Sequence, residues 1–181
     1  MTKRKLTPAA WAKIRLFAMD VDGVLTDGTV SISSDGTESK RFAVIDGLGL
    51  ILLRASGLEL AWISGRQSAA TTLRGNELKI PHLIQGKHNK LEALTGLAAA
   101  LGIPLHECAY MGDDFIDAPA IAAAGIGISV PTGMPAALAA ADYVTRLRPG
   151  FGAVREVCDL FLRARGSPNA TLQEARRAMP K

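Results

Sequence analysis

Short apolar runs and longer amphipathic segments alternate along most of the chain. The apolar runs are typical of buried strands, and they lie at residues 15–20, 58–64, 82–85, 108–112, 125–129 and 142–145. The longer segments between them are predicted to be helices, at residues 47–56, 67–76, 88–101, 114–124, 134–140 and 151–165. The first of these has the spacing of apolar residues that is typical of a helix. Strands that alternate with helices form βαβ units, so we predict an α/β fold in which a Rossmann-like parallel sheet carries helices on both faces.

Two short stretches break this alternation after the first strand. Residues 29–34 (TVSISS) and 37–44 (TESKRFAV) alternate apolar and polar side chains, and Asp35-Gly36 separates them. An Asp-Gly pair between two alternating runs is a strong signal for a β-hairpin. The sequence therefore predicts a small hairpin flap over residues 29–44 beside the sheet.

Length and composition indicate a single globular domain with its own core. The chain has 181 residues, of which 48% are hydrophobic and 21% charged, as in an ordinary soluble protein. We expect the domain to span residues 15–166. A basic extension at 1–14 would precede it, and a basic, flexible tail at 167–181 would follow it.

The chain lacks the sequence features of a membrane or secreted protein. Its apolar runs are shorter than the about 18 residues that span a bilayer, and no apolar segment follows the charged N-terminus as in a signal peptide. Cys108 and Cys158 each stand among apolar neighbours, which favours buried thiols over a disulfide. We therefore expect a cytoplasmic protein without a membrane partner.

Basic charge is concentrated at the two ends of the chain. Residues 1–15 carry five lysines or arginines and no acid, and residues 163–181 carry five against one glutamate. Between them, residues 16–162 carry 11 basic and 16 acidic side chains. Because this body is acidic and only 5% of all residues are aromatic, we expect no nucleic-acid partner.

Polar residues that suit phosphate and metal chemistry follow four of the predicted strands. Asp20 and Asp22 follow the first strand, Ser64-Gly65-Arg66 ends the second, Lys90 lies beyond the third, and Gly112-Asp113-Asp114 ends the fourth. The carboxyl ends of parallel strands meet at one edge of a sheet, where α/β proteins bind their ligands. We therefore expect these four sets to form one site.

The carboxylates at this edge predict a divalent metal. Asp20 and Asp22 leave the strand end on the same side, and two adjacent carboxylates repel unless a cation joins them. Oxygen ligands favour Mg²⁺, whereas the three histidines are scattered and are interpreted as surface or loop residues. A hydroxyl, backbone N–H groups and an ammonium beside the metal are what a phosphoryl group needs, so we predict Mg²⁺-dependent phosphoryl transfer through an aspartyl-phosphate.

The motifs at these strand ends resemble those of the haloacid dehalogenase superfamily. They are DVDGVLTD at 20–27, SGR at 64–66, Lys90, and GDDxxD at 112–117. Further segments, among them GAVREVCDL at 152–160, are similar to a narrower group that lacks a large cap domain. That resemblance covers about residues 14–165. It implies a phosphatase that hydrolyses 3-deoxy-D-manno-octulosonate 8-phosphate, a sugar-acid phosphate of lipopolysaccharide synthesis.

The resemblance implies a chemical role for each matching residue. Asp20 would be the nucleophile, and Asp22 would be the acid and then the base. Ser64 and Lys90 would hold the phosphoryl group. The remaining expected substrate contacts are Gly65, Arg66 and Asp46.

The resemblance also implies a metal site and an assembly. Mg²⁺ would be bound by Asp20, Asp113 and the backbone carbonyl of Asp22, while Asp114 and Asp117 would position metal-bound water or the lysine from behind. The hairpin would project from each subunit and help to build a homotetramer in which neighbouring subunits close the active sites.

Two positions depart from the pattern of the narrower group. Ile45 stands where the group usually has a basic residue, and Phe151 stands where it usually has an arginine between two glycines. Both arginines are expected near the carboxylate or phosphate of the substrate, which leaves Arg66 as the candidate partner of that carboxylate. Two alternatives stay open: a phosphatase for nonulosonate 9-phosphates or a broader range of sugar phosphates, and a non-catalytic oligomerisation module.

Overall fold

The computed structural model describes residues 6–166, and six strands in this range form one parallel sheet. Together with the two strands of the hairpin, the strands are β1 (Leu16–Met19), β2 (Ser31–Ile32), β3 (Glu38–Ser39), β4 (Glu59–Ile63), β5 (His82–Ile84), β6 (Cys108–Met111), β7 (Ile126–Ser129) and β8 (Tyr143–Val144). The helices are α1 (Pro8–Ala12), α2 (Val44–Ala55), α3 (Ala69–Glu77), α4 (Lys90–Ala100), α5 (Ala118–Ala123), α6 (Pro135–Ala140) and α7 (Ala153–Ala164). Helices cover both faces of the sheet, so the predicted α/β class is confirmed.

The first strand, β1, occupies the centre of the sheet because all four of its residues are apolar and buried. It pairs with β4 on one side and with β6 on the other, so that Met19 lies opposite both Trp62 and Met111. The strand order is β5-β4-β1-β6-β7-β8. The chain therefore adds β4 and β5 on one side of β1 and β6, β7 and β8 on the other. The carboxyl end of β1 is the switch point at which such sheets bind ligands.

Each face of the sheet packs into its own apolar core. On one face Phe17 lies in a cluster with Phe161 of α7 and residues of α1 and α2. On the other face Leu16 lies in a cluster with Leu94 of α4 and Ile121 of α5. Adjacent residues of β1 thus serve opposite cores, as the alternation of side chains along a strand requires.

The hairpin forms at the predicted place but is shorter than predicted. Its strands β2 and β3 pair antiparallel over two residues each, with Ile32 opposite Glu38. The turn uses Asp35-Gly36: Gly36 has φ +83°, which glycine adopts without strain, and the Asp35 carboxylate accepts a hydrogen bond from the N–H of Thr37 at 2.9 Å. Because most hairpin side chains are exposed, little packing supports longer strands.

A helix that the pattern did not predict lies within the expected N-terminal extension. Thr7 caps α1 by accepting a hydrogen bond from the N–H of Ala10, and Pro8 opens its first turn. The Trp11 ring packs edge-on against Phe161 at 4.9 Å and against Tyr143 at 5.7 Å between ring centroids. This segment therefore packs on the body of the domain, whereas the expected tail at 167–181 lies outside the described residues.

Two helix boundaries bear on the site. The second helix, α2, begins at Val44 rather than at residue 47, which places Asp46 in its first turn. Similarly, α5 begins at Ala118 rather than at residue 114, because residues 114–117 form a turn. Within residues 6–166, none of the helices has the length and apolar character needed to cross a membrane.

Candidate active site

Asp20 is the first residue after β1 and lies at the centre of the sheet edge. Its backbone N–H donates to the carbonyl of Met111 at 2.9 Å, which continues the pairing of β1 with β6 by one residue. Its Oδ1 accepts a hydrogen bond from the N–H of Val21 at 2.7 Å. The side chain lines an open pocket of about 260 Å³ while the residue remains 94% buried, with 6% exposure.

Lys90, the first residue of α4, brings a buried positive charge to Asp20. Its Nζ lies 2.8 Å from Oδ1 of Asp20 and 3.4 Å from Oδ1 of Asp117. It also donates a hydrogen bond to the carbonyl oxygen of Ile63 at 2.7 Å. These three oxygens fix the ammonium beside the predicted nucleophile, where it can offset negative charge on a phosphoryl group.

The turn after β4 contributes Ser64, Gly65 and Arg66. Ser64 is buried, and its Oγ accepts a hydrogen bond from the N–H of Arg66 at 3.2 Å. Gly65 and Arg66 line the pocket. The Arg66 guanidinium is half-exposed and pairs with Glu38 of the hairpin at 2.7 Å, so the pocket wall carries a cation that is accessible to a substrate.

The loop after β6 carries three aspartates, of which Asp117 holds the loop in place. Its Oδ2 accepts hydrogen bonds from the N–H groups of Asp113 and Asp114, both at 3.2 Å. Its Oδ1 accepts a hydrogen bond from the Tyr110 hydroxyl at 2.8 Å. Asp113 and Asp114 line the pocket, whereas Asp117 is buried behind them.

Burial and mutual repulsion perturb two of these carboxyl groups. Burial raises the pKa of Asp20 to about 6, Asp117 adds to the rise, and Lys90 opposes it. Burial likewise raises the pKa of Asp113 to about 7, with a further contribution from the charge of Asp20. Both groups thus ionise at a higher pH than an ordinary aspartate, and a divalent cation bound beside them would favour their charged forms.

The donor set fits a hard divalent cation. Carboxylate oxygens of Asp20, Asp113 and Asp117 lie within 4.8 Å of one another, and all three are the oxygen ligands that Mg²⁺ prefers. The three carboxylates together carry more negative charge than the single positive charge of Lys90 can balance. A bound Mg²⁺ would compensate that excess.

The Asp22 carboxylate lies apart from this cluster. The Nζ of Lys40, on the hairpin, lies 2.7 Å from its Oδ1 and donates a hydrogen bond to its Oδ2 at 2.8 Å. Any contribution of Asp22 to a metal site would therefore come from its backbone carbonyl, as the resemblance implies. Gly23 follows with φ +84°, and a Cβ at this position would collide with Asp113, so the glycine lets the two loops approach each other.

Asp46, which was expected to contact the substrate, has a different place in the structure. It is buried in the first turn of α2, and its carboxylate accepts hydrogen bonds from the N–H groups of Gly152 at 3.2 Å and Arg155 at 2.7 Å. It thereby satisfies free N–H groups at the start of α7. We correct its assignment to that of a residue that joins two helices.

Two further residues lie at the site although their sequence positions did not predict it. His88 is an exposed loop residue, as interpreted from the sequence, and it also lines the pocket, with its Nδ1 3.2 Å from where a Cβ on Gly65 would be. Lys40 reaches the site from the hairpin. Both residues lie in segments that resemble the narrower group, but no role was expected for either, because their positions depend on how loops fold back over the sheet edge.

Comparison with known proteins identifies the same family that the sequence motifs resemble. Residues 60–154 match the model of the haloacid dehalogenase-like hydrolase family. The 3-deoxy-D-manno-octulosonate 8-phosphate phosphatase KdsC of Escherichia coli strain K12 is 45% identical over 153 residues, which are 84% of this chain and 81% of that protein.

Solved structures extend the similarity to the fold. The 3-deoxy-D-manno-octulosonate 8-phosphate phosphatase of Moraxella catarrhalis, in complex with a magnesium ion, a phosphate ion and a KDO molecule, is 51% identical with a TM-score of 0.89, covering 92% of this chain and 95% of that one. The cobalt-bound deoxy-D-mannose-octulosonate 8-phosphate phosphatase of Haemophilus influenzae is 36% identical with a TM-score of 0.85, covering 91% and 98%.

Proposed function

This chain belongs to the haloacid dehalogenase-like hydrolase family, and we propose that it hydrolyses 3-deoxy-D-manno-octulosonate 8-phosphate to the free sugar acid and inorganic phosphate. Asp20 is placed to accept a phosphoryl group, because it is a buried carboxylate at the switch point of the sheet, 2.8 Å from Lys90 and beside Asp113. Relatives named for this activity are 45% and 51% identical over most of the chain.

In the first step that we propose, an oxygen of Asp20 attacks the phosphorus and the bond to the sugar oxygen breaks. Asp22 gives its proton to the leaving oxygen, so that an alcohol rather than an alkoxide departs. The Lys90 ammonium and the Ser64 hydroxyl stabilise charge on the phosphoryl oxygens. The product of this step is an aspartyl-phosphate at Asp20.

In the second step a water molecule attacks the phosphorus of the aspartyl-phosphate. Asp22, now a carboxylate, takes a proton from the water, and Asp20 is released together with phosphate. Mg²⁺, which Asp20, Asp113 and the carbonyl of Asp22 would hold, neutralises the carboxylates and the phosphoryl charge when bound. Asp114 and Asp117 support this site from the loop after β6.

The sugar acid would lie in the pocket beside Arg66. Its half-exposed guanidinium can pair with a carboxylate through two hydrogen bonds, and Gly65 and His88 form the neighbouring wall. A second candidate function is hydrolysis of nonulosonate 9-phosphates or a wider set of sugar phosphates. It is favoured by Ile45 and Phe151, which present exposed apolar side chains where the narrower group has basic ones.

We also propose that the enzyme works in the cytoplasm as a homotetramer with active sites near the subunit interfaces. Both cysteines are free and buried, which suits a reducing compartment. Exposed apolar side chains are present on the hairpin and near the start of α2, among them Ile32 and Val44 at 69% and 79% exposure. The acidic body of the chain supports a small-molecule partner over nucleic acid.

A panel of sugar phosphates assayed with and without EDTA tests this function. We expect the octulosonate 8-phosphate to have a kcat/KM at least about tenfold above that of the nonulosonate 9-phosphate and of glucose 6-phosphate. EDTA should abolish turnover, and excess Mg²⁺ should restore it. A flat profile would favour the broader phosphatase, and no phosphate release from any substrate would contradict a phosphatase altogether.

A further inference from the structure

Lys40 lies on the hairpin, and its ammonium group is buried at the edge of the sheet where the active site lies. The side chain has 0% exposure, although the hairpin around it is mostly exposed. Its Nζ contacts both oxygens of Asp22, at 2.7 and 2.8 Å, and donates a hydrogen bond to Oγ1 of Thr71 at 3.3 Å. Burying an ammonium is costly unless it is well paired, so this contact is a strong constraint on where the Asp22 carboxylate lies.

The same lysine belongs to a row of alternating charges that joins the hairpin to the pocket. Glu38 lies 3.7 Å from Lys40, and its other oxygen pairs with Arg66 at 2.7 Å. The row therefore runs from Asp22 through Lys40 and Glu38 to Arg66. It ties the hairpin to the proposed acid at one end and to the pocket wall at the other.

We propose that Lys40 is a positioning residue that holds the Asp22 carboxyl group in place for proton transfer. This inference rests on the proposed function of Asp22. An ammonium has three N–H donors, so Lys40 can contact both Asp22 oxygens and Thr71 at once and restrict the rotation of the Asp22 side chain. A general acid must stay within hydrogen-bond reach of the leaving oxygen, and an unrestrained side chain would spend less time there.

The charge of Lys40 also suits the direction of the proton transfer. As the bond from phosphorus to the sugar oxygen breaks, the proton of Asp22 moves to that oxygen and Asp22 becomes a carboxylate. The neighbouring ammonium stabilises the negative charge that forms there and keeps its own three protons throughout. The contact therefore assists the departure of a poor leaving group and not the binding of the phosphoryl group by Ser64 and Lys90.

The test compares leaving groups in Lys40→Met, which keeps a long side chain and removes the ammonium. In rapid-quench single turnovers with Mg²⁺, release of the alcohol is measured from the octulosonate 8-phosphate and from 4-nitrophenyl phosphate. The alkoxide needs a proton and the nitrophenolate does not. We expect release to slow by about a hundredfold or more for the sugar phosphate and by less than about tenfold for the aryl phosphate.

Three controls separate positioning from folding. Lys40→Arg keeps the charge and should recover at least part of the rate on the sugar phosphate. Lys87→Met makes the same chemical change on an exposed lysine at the same sheet edge and should alter neither rate. If Lys40→Met melts below the assay temperature, Lys40→Gln is compared with wild type in the same way, each at a temperature where both remain folded.

An equal loss on both leaving groups in a folded variant, or no loss on either, would overturn the role of Lys40. Failure of the proposed substrate is a separate outcome. If wild type cleaves another sugar phosphate but not the octulosonate 8-phosphate, the proposed function is wrong, and the leaving-group comparison is made on the sugar phosphate that is cleaved.

Discussion

Lys90 is the residue around which the charges of the active site are arranged. Its ammonium is fully buried and touches Asp20, Asp117 and the carbonyl of Ile63. One lysine cannot balance three carboxylates, and burial first and the neighbouring negative charges second raise the pKa values of Asp20 and Asp113. The site is therefore built to be stable with a divalent cation rather than alone.

Metal-free protein should lose stability as the pH rises. The carboxyl groups of Asp20 and Asp113 have pKa values of about 6 and about 7, both above the ordinary value of 3.8. The folded state therefore holds their protons more tightly than the unfolded state, and the stability they contribute is lost as the pH rises from about 4 through about 7. In EDTA, Asp113→Asn should melt higher than wild type at pH 8, and the difference should shrink toward pH 5.

The measurement is thermal melting between pH 5 and pH 8, with EDTA or with Mg²⁺. Added Mg²⁺ should raise the melting temperature of wild type at pH 8 and that of Asp113→Asn much less. Asp159→Asn, which alters a partly exposed carboxylate paired with Arg155 on α7, serves as the matched control. An Asp113→Asn protein that gains as much from Mg²⁺ as wild type would show that Asp113 does not hold the metal.

Sequence motifs identified the acidic residues and the lysine of the site but not every residue around them. Asp20, Ser64 and Lys90 could be predicted because each directly follows or lies just beyond a strand, and parallel strands bring their ends together. Lys40 and His88 could not, because their positions depend on loops whose course no local pattern specifies. Asp46 was misassigned since a buried helix cap and a substrate contact use the same kind of residue.

Contacts between residues far apart in the sequence explain the elements that the hydrophobic pattern did not predict. The first helix, α1, has only five residues, too few to show a period, and it is held by the packing of Trp11 on α7. The hairpin strands are shorter than predicted because their side chains are exposed and would gain little packing if the strands were longer. The strands β1, β4, β6 and β7 could be predicted because nearly all of their residues are buried, which gives short, mainly apolar runs in the sequence.

Trp11→Ala should show that α1 is part of the domain. The Trp11 ring is buried between Phe161 and Tyr143, so its removal should lower the free energy of unfolding by about 3–5 kcal/mol. Urea unfolding followed by circular dichroism measures this change. Leu73→Ala, on an exposed side chain of α3, should change stability by less than about 0.5 kcal/mol, and a similarly small effect of Trp11→Ala would place α1 outside the cooperative core.

The order of the strands in the sheet brings the side chains of the active site together. Four strand ends contribute residues of the site, from Asp20 in sequence order to Asp117. These residues meet at the end of the central strand β1 because β4 and β6 flank it. The hairpin adds Lys40 and Glu38 from above the same edge. Its remaining apolar surface, together with exposed Val44 and Phe151, is the surface we propose for contacts between subunits.

Light scattering coupled to size-exclusion chromatography tests that assembly. We expect a mass four times that of the 19.1 kDa chain. Ile32→Asp, which puts a charge on the exposed face of the hairpin, should shift the protein toward smaller species because burying an unpaired charge in an interface is unfavourable. A wild-type protein with the mass of a single chain at micromolar concentration would contradict the homotetramer.

Phosphate release from 3-deoxy-D-manno-octulosonate 8-phosphate by wild type and by Asp20→Asn, both with saturating Mg²⁺, tests whether Asp20 accepts the phosphoryl group. We expect steady turnover by wild type and a loss of at least about a thousandfold in Asp20→Asn, with the circular dichroism spectrum retained. Wild-type turnover that persists in a folded Asp20→Asn protein would contradict that role, since phosphoryl transfer would then proceed without the carboxylate proposed to accept the phosphoryl group.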